Sequence, residues 1–391
     1  VSAINGIGTS VASSESTSIT TPTIPDAPTS LVATTVDTAS IELNWTLPAS
    51  DGNSIIQSCS MQNDATGSFA QIDTVSGTAT TFTHSGLSDA TNFNYQVIAI
   101  NNVGSSAPSN QDSAWTLPNA PVGLTANAVS SADTLELEWT QPTGTVTEYK
   151  IQRALFGASN WSTSQTVSFG VACSGATCTV DDTGLSSGTQ FQFRVIAVNL
   201  GGDSAESNVA SNWTVNDAPT QLAVTLDPNN SSESYLSWTS PSGTTTGFQI
   251  ERETPVGGGW LTIESDTGLV NILTDTGLTL STDYNYRISS INLGGISVAS
   301  APVSITTLSP PDPPTDITFD LQKVSSDLRV QVSWTEPSNL STGTLSGYMV
   351  ERNDGTGWSI TANTGTTPSL IDTDIQRGVN LSLIHISEPT R

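Results

Sequence analysis

The sequence predicts an all-β chain built from sandwich domains in tandem, and three observations predict it. A strand-like stretch, Phe191-Gln-Phe-Arg-Val-Ile-Ala-Val-Asn-Leu-Gly-Gly202, has a two-residue apolar period and ends in turn chemistry. It recurs as Phe93-Asn-Tyr-Gln-Val-Ile-Ala-Ile-Asn-Asn-Val-Gly104 and as Tyr284-Asn-Tyr-Arg-Ile-Ser-Ser-Ile-Asn-Leu-Gly-Gly295. Trp45, Trp139, Trp238 and Trp334 each precede a proline by three residues and lie 94, 99 and 96 residues apart, one all-β sandwich per interval. Helix signals are essentially absent.

Taken in order, the chain opens on a clipped copy of the same stretch, Val1-Ser-Ala-Ile-Asn-Gly-Ile-Gly8. Residues 1–24 are therefore expected to be the last hairpin of a truncated domain. Proline marks each boundary that follows: Pro25-Asp-Ala-Pro28, Pro118-Asn-Ala-Pro121, Asp217-Ala-Pro219 and Pro310-Pro-Asp-Pro-Pro314. These cut the chain into 25–117, 118–215, 216–309 and a shorter 310–380, joined by short, proline-stiffened linkers like beads on a rod. Within the domains, an alternating strand closes on tryptophan, as in Ile41-x-Leu43-x-Trp45, Leu135-x-Leu137-x-Trp139 and Val330-x-Val332-x-Trp334. The inward indole anchors the core, and the proline after it ends the strand.

The next strand reads Tyr149-x-Ile151-x-Arg153, Phe248-x-Ile250-x-Arg252 and Tyr348-x-Val350-x-Arg352. The first domain has Cys59-x-Met61-x-Asn63 in those slots, so Cys59 reads as a buried apolar residue. A second aromatic follows at Trp161, Trp260 and Trp358, with Phe69 as its counterpart. Leu87, Leu185 and Leu278 then stand six residues before Phe93, Phe191 and Tyr284.

These shared positions resemble a tandem array of fibronectin type III domains. The likeness covers residues 1 to about 380 and rests on copies that agree in register. It implies immunoglobulin-like, seven-strand Greek-key sandwiches, each with a three-stranded sheet packed on a four-stranded one. The family's corner position is usually tyrosine, whose hydroxyl bonds back to the backbone. Tyr284 keeps it, whereas Phe93 and Phe191 cannot make that bond.

The last domain should reach its long strand at residue 381, but Leu381, Leu383, His385 and Ser387 stand where the pattern expects aromatic, aromatic, aliphatic and small residues. Residues 381–391 resemble a translated sequencing adapter, which implies an environmental, metagenomic source and a last domain lacking two strands.

The 10 Lys+Arg against 36 Asp+Glu, a formal charge of −26, argue against nucleic acid and anionic membranes, since phosphates require cations. No apolar run is long enough to span a bilayer. No catalytic site, cofactor or zinc set is expected: His84 stands alone at a loop–strand junction, and the three cysteines have no zinc spacing. Asp181-Asp182 and Asp372-Thr-Asp374 are either loop carboxylates or weak Ca2+ ligands, without the twelve-residue calcium loop. Cys173 and Cys178 flank Ser-Gly-Ala-Thr, a spacing that suits a cross-hairpin disulfide and an oxidising compartment. Trp115 and Trp213, near the ends of last strands, are the tryptophans least secure in a structural slot.

The leading expectation is a non-catalytic structural spacer or interaction segment of a large secreted or cell-surface protein. The alternatives are the accessory region of an extracellular polysaccharide-degrading enzyme, or an adhesin or receptor ectodomain with a protein ligand.

Overall fold

The computed structural model describes all residues except 16–17, 65–66, 229, 310–311, 339–344, 346, 354, 356, 376–381 and 388–391. The chain divides into two compact units. One comprises Val1–Val129, Thr134–Leu185 and Gln190–Asn212, and the other Ser130–Asp133, Ser186–Thr189 and Trp213–Arg391.

In the first unit, a small exposed hairpin (Ile4–Asn5, Gly8–Thr9) precedes two sandwiches. The first sandwich packs a three-stranded sheet, ordered Thr29–Thr35, Ser40–Thr46, Thr81–Ser85, against a four-stranded one. The latter runs Ala70–Ser76, Ser58–Asn63, Asn92–Ile100, Asp112–Trp115, so the 3+4 expectation holds there. Alternation places Ile41, Leu43, Trp45, Cys59, Met61, Tyr95 and Val97 in one core, with Phe82, Leu87 and Phe93 half-buried at its edge.

The second sandwich packs a similar core around Trp139, Tyr149, Leu185, Phe191 and Phe193, but its sheets have four and five strands rather than three and four, because the two-residue strands Cys173–Ser174 and Gly202–Asp203 each extend one. It adds a one-turn helix, Phe169–Ala172, and a two-residue strand, Cys173–Ser174, paired with Thr177–Asp182. That short helix departs from the helix-free expectation.

In the second unit, Leu236, Trp238, Phe248, Leu278, Tyr284 and Tyr286 form the third core, and Val332, Trp334, Tyr348 and Val350 the fourth. In the second, third and fourth repeats the indole meets the next strand's aromatic edge-on: Trp139–Tyr149, Trp238–Phe248 and Trp334–Tyr348 have ring centroids 5.2, 5.4 and 5.1 Å apart. In the first repeat Cys59 takes the aromatic's place; it is a fully buried free thiol, and burial pushes its pKa up. In the fourth repeat, Ser382–Ser387 pairs with Met349–Asn353. A ladder partner therefore exists where the side-chain pattern of the long strand breaks down.

Candidate functional site

The chemistry that the repeats share gathers at their ends. The long strand of each of the first three repeats closes on a buried asparagine: Asn101, Asn199 and Asn292. A strand end that reverses tightly leaves backbone N–H groups without ladder partners, and the asparagine oxygen accepts them. Asn101 takes those of Val103 and Gly104, Asn199 that of Gly201, and Asn292 those of Gly294 and Gly295. The amide nitrogen donates the other way, to the backbone of the incoming linker. Asn101 reaches Thr23 O at 2.8 Å, Asn199 Thr116 O at 2.9 Å and Asn292 Thr214 O at 2.8 Å.

The glycine after each Asn-Leu has a steric reason. A Cβ on Gly201 would lie 2.6 Å from Trp115 O, and one on Gly294 2.5 Å from Trp213 O. The first repeat carries Val103 at this place. Trp115 and Trp213 are thus half-buried residues whose backbone passes against the next turn. Thr116, Thr214 and Thr307 follow that strand and are buried; their hydroxyls donate to Ser88 O, Ser186 O and Thr279 O.

Within the first unit, Asp89 completes a clamp. Its carboxylate accepts from Asn119 Nδ2 and from Thr143 Oγ1, both at 2.9 Å, while Thr145 N donates to Ala90 O at 3.0 Å. Within the second unit, Thr244 N donates to Gly188 O at 3.0 Å and Asn216 Nδ2 to Thr244 O at 3.1 Å.

Three of the four aspartates singled out for calcium are engaged otherwise. Asp182 is buried and bonded to Arg153 at 2.8 Å, and Asp372 to Arg352 at 3.0 Å, with Asp374 also on Arg352 at 3.4 Å. Arg252 and Asp275 form the same pair at 2.8 Å. A guanidinium already neutralises each buried carboxylate, which corrects the Ca2+ expectation at these positions. Among the described residues no group of three or more His, Cys, Asp or Glu could hold a metal ion.

His84 lies inside a strand, Thr81–Ser85, rather than at a loop junction. Opposite Ile41 it holds the slot that Asp182 holds opposite Leu135. Its Nδ1 shares a 3.0 Å hydrogen bond with the Tyr95 hydroxyl, and burial lowers its pKa. The Tyr284 hydroxyl accepts from Thr279 N at 2.8 Å. Cys173 and Cys178 stand directly opposite each other in the ladder, and their sulfurs are bonded.

The aspartate slot was legible in a motif that sequence reasoning passed over: Asp182-Thr-Gly-Leu185 and Asp275-Thr-Gly-Leu278 place it three residues before the leucine, where the first repeat has His84 before Leu87.

The fibronectin type III domain model matches residues 26–114, 119–213 and 217–306. The chain belongs to the fibronectin type III family. It is 28% identical over 278 residues to exoglucanase B of Cellulomonas fimi, covering 66% of this chain and 23% of that protein. It is 27% identical over 349 residues to mouse neogenin, covering 82% of this chain and 22% of that protein. The chain thus spans about a quarter of the length of these relatives. A solved structure, the FN1–FN3 domains of chicken CNTN1, matches 73% of this chain and 99% of its own at 20% identity and a TM-score of 0.30.

Proposed function

We propose that this fibronectin type III chain is a non-catalytic spacer and interaction segment of a larger secreted or cell-surface protein, stiff where its first two repeats meet. The observation that carries the reading is the clamp of Asp89, Asn119, Thr143 and Asn199, which spends side-chain hydrogen bonds, one of them from a buried asparagine, on joining repeats rather than on a reaction. Chemically unlike relatives, an exoglucanase and neogenin, share this segment over less than a quarter of their lengths, which fits a portable scaffold. The disulfide favours an extracellular or cell-surface setting. The extent of the repeats is proposed as 25–117, 118–215, 216–309 and 310–380. The exoglucanase relative supports a second reading, an accessory region beside a polysaccharide-degrading domain.

Spin labels on Thr83→Cys and Asn127→Cys in the full chain test the stiffness, because native Cys59 is buried and the other cysteines are bridged. One narrow distance distribution is expected. Gly201→Ala should broaden it by forcing the Trp115 carbonyl away. A broad distribution in the unaltered chain, or no response to Gly201→Ala, would sink the stiff-spacer reading.

A further inference from the structure

We propose that the outer face of the three-stranded sheet in the third repeat binds a neutral polysaccharide chain, with the Tyr235 ring as the stacking platform. The strand registers align this face across all four repeats, two rows of three residues each. In the third repeat the rows are Ala223, Ser237, Ile272 and Thr225, Tyr235, Thr274. The same six places carry Glu42 in the first repeat, Glu136, Glu138 and Asp181 in the second, and Asp320 in the fourth. On a chain of net charge −26, the third repeat is the one whose rows hold no carboxylate and do hold an aromatic ring.

The geometry suits a narrow, uncharged, hydroxyl-rich chain. The six residues, with Leu236 and Leu273 beneath them, line a concavity. Tyr235 is 42% exposed and Ile272 66%, so apolar surface stands open on either side of small residues. The Tyr235 hydroxyl donates to Asp227, which holds the ring in place ahead of any ligand and lowers the ordering cost of stacking. Among the described residues, no intramolecular hydrogen bond engages the hydroxyls of Thr225, Ser237 or Thr274, leaving three groups able to donate to and accept from sugar hydroxyls. The six places themselves carry no charge to desolvate, and the Asp227 carboxylate at the Tyr235 hydroxyl lies beyond the two rows. Three strands about 4.8 Å apart make a strip roughly 10 Å wide, far short of the ~800 Å2 per partner of a standard protein interface. A polymer chain fits that strip.

Affinity electrophoresis of the full chain through gels containing hydroxyethylcellulose or galactomannan tests this, with carboxymethylcellulose as the acidic control. Retardation on at least one neutral polymer is expected. It should weaken at least tenfold in Tyr235→Ala and in Ser237→Glu, which copies Glu138 of the second repeat, and persist in Tyr235→Phe. Thermal unfolding checks that each variant folds. The proposal is overturned by no retardation on either neutral polymer, by equal retardation in Tyr235→Ala and Ser237→Glu, or by stronger retardation on the acidic polymer. The label distances across the first two repeats are blind to this face, so the two readings fail separately.

Discussion

His84 and Asn63 occupy, in the first repeat, the two positions that the later repeats fill with aspartate and arginine. Both members change together, from an ion pair to two neutral groups. A lone carboxylate or guanidinium there would be a buried uncompensated charge, costing about 3 kcal/mol or more. The exchange makes the first repeat sensitive to mild acid. Burial is the main cause that lowers the His84 pKa from 6.5, with Asp73 opposing it. The unfolded chain therefore binds a proton first as pH falls below 6.5, and stability present above that value is lost down through the folded pKa. Urea unfolding of the first repeat, followed by hydrogen exchange in Asn92–Ile100, should show a lower midpoint at pH 5 than at pH 7.5. His84→Asn should flatten that difference, and equal midpoints in the unaltered chain would contradict it.

At the scale of the element, the second repeat alone among the described ones ties its connection between sheets with a disulfide. The bridge spans a sequence separation of 5, and a loop that short limits the chain-entropy gain to about 2 kcal/mol. Replacing Cys173 and Cys178 with alanine should speed amide exchange in Gln190–Asn199 roughly 30-fold, the equivalent of that energy, and leave Asn92–Ile100 unchanged. The strands and the aromatic core positions were readable because a period of two and a repeat near 96 residues leave marks along one segment. The clamps were not readable, because Asp89 meets Asn119 and Thr143 across 30 and 54 residues. No local pattern encodes that distance. Gly201 and Gly294 carried the hint: both follow Asn-Leu, and each faces a strand that ends in tryptophan.

For the molecule as a whole, the cations are committed inward. Six of the ten Lys+Arg residues, Lys150, Arg153, Arg194, Arg252, Arg287 and Arg352, form ion pairs with acids of their own repeat. Arg194 and Arg287 also stack on Trp161 and Trp260, at 4.6 and 4.2 Å from the ring centroids. The remaining surface is therefore more one-signed than the composition alone suggests, and its carboxylates repel one another through water. Added salt shortens that repulsion, since the screening length falls from about 30 Å at 0.01 M to about 3 Å at 1 M. The pairs with buried aspartates, Arg153–Asp182, Arg252–Asp275 and Arg352–Asp372, are screened far less. Raising NaCl from 0.01 to 0.5 M should thus raise the thermal midpoint, by a few degrees for domains of this size at about 1 kcal/mol gained. Millimolar CaCl2 at matched ionic strength should add nothing further, because arginine already occupies the buried aspartates. A midpoint that falls with salt would mean the ion pairs outweigh the surface repulsion, and a separate calcium shift would place a cation site elsewhere on the chain.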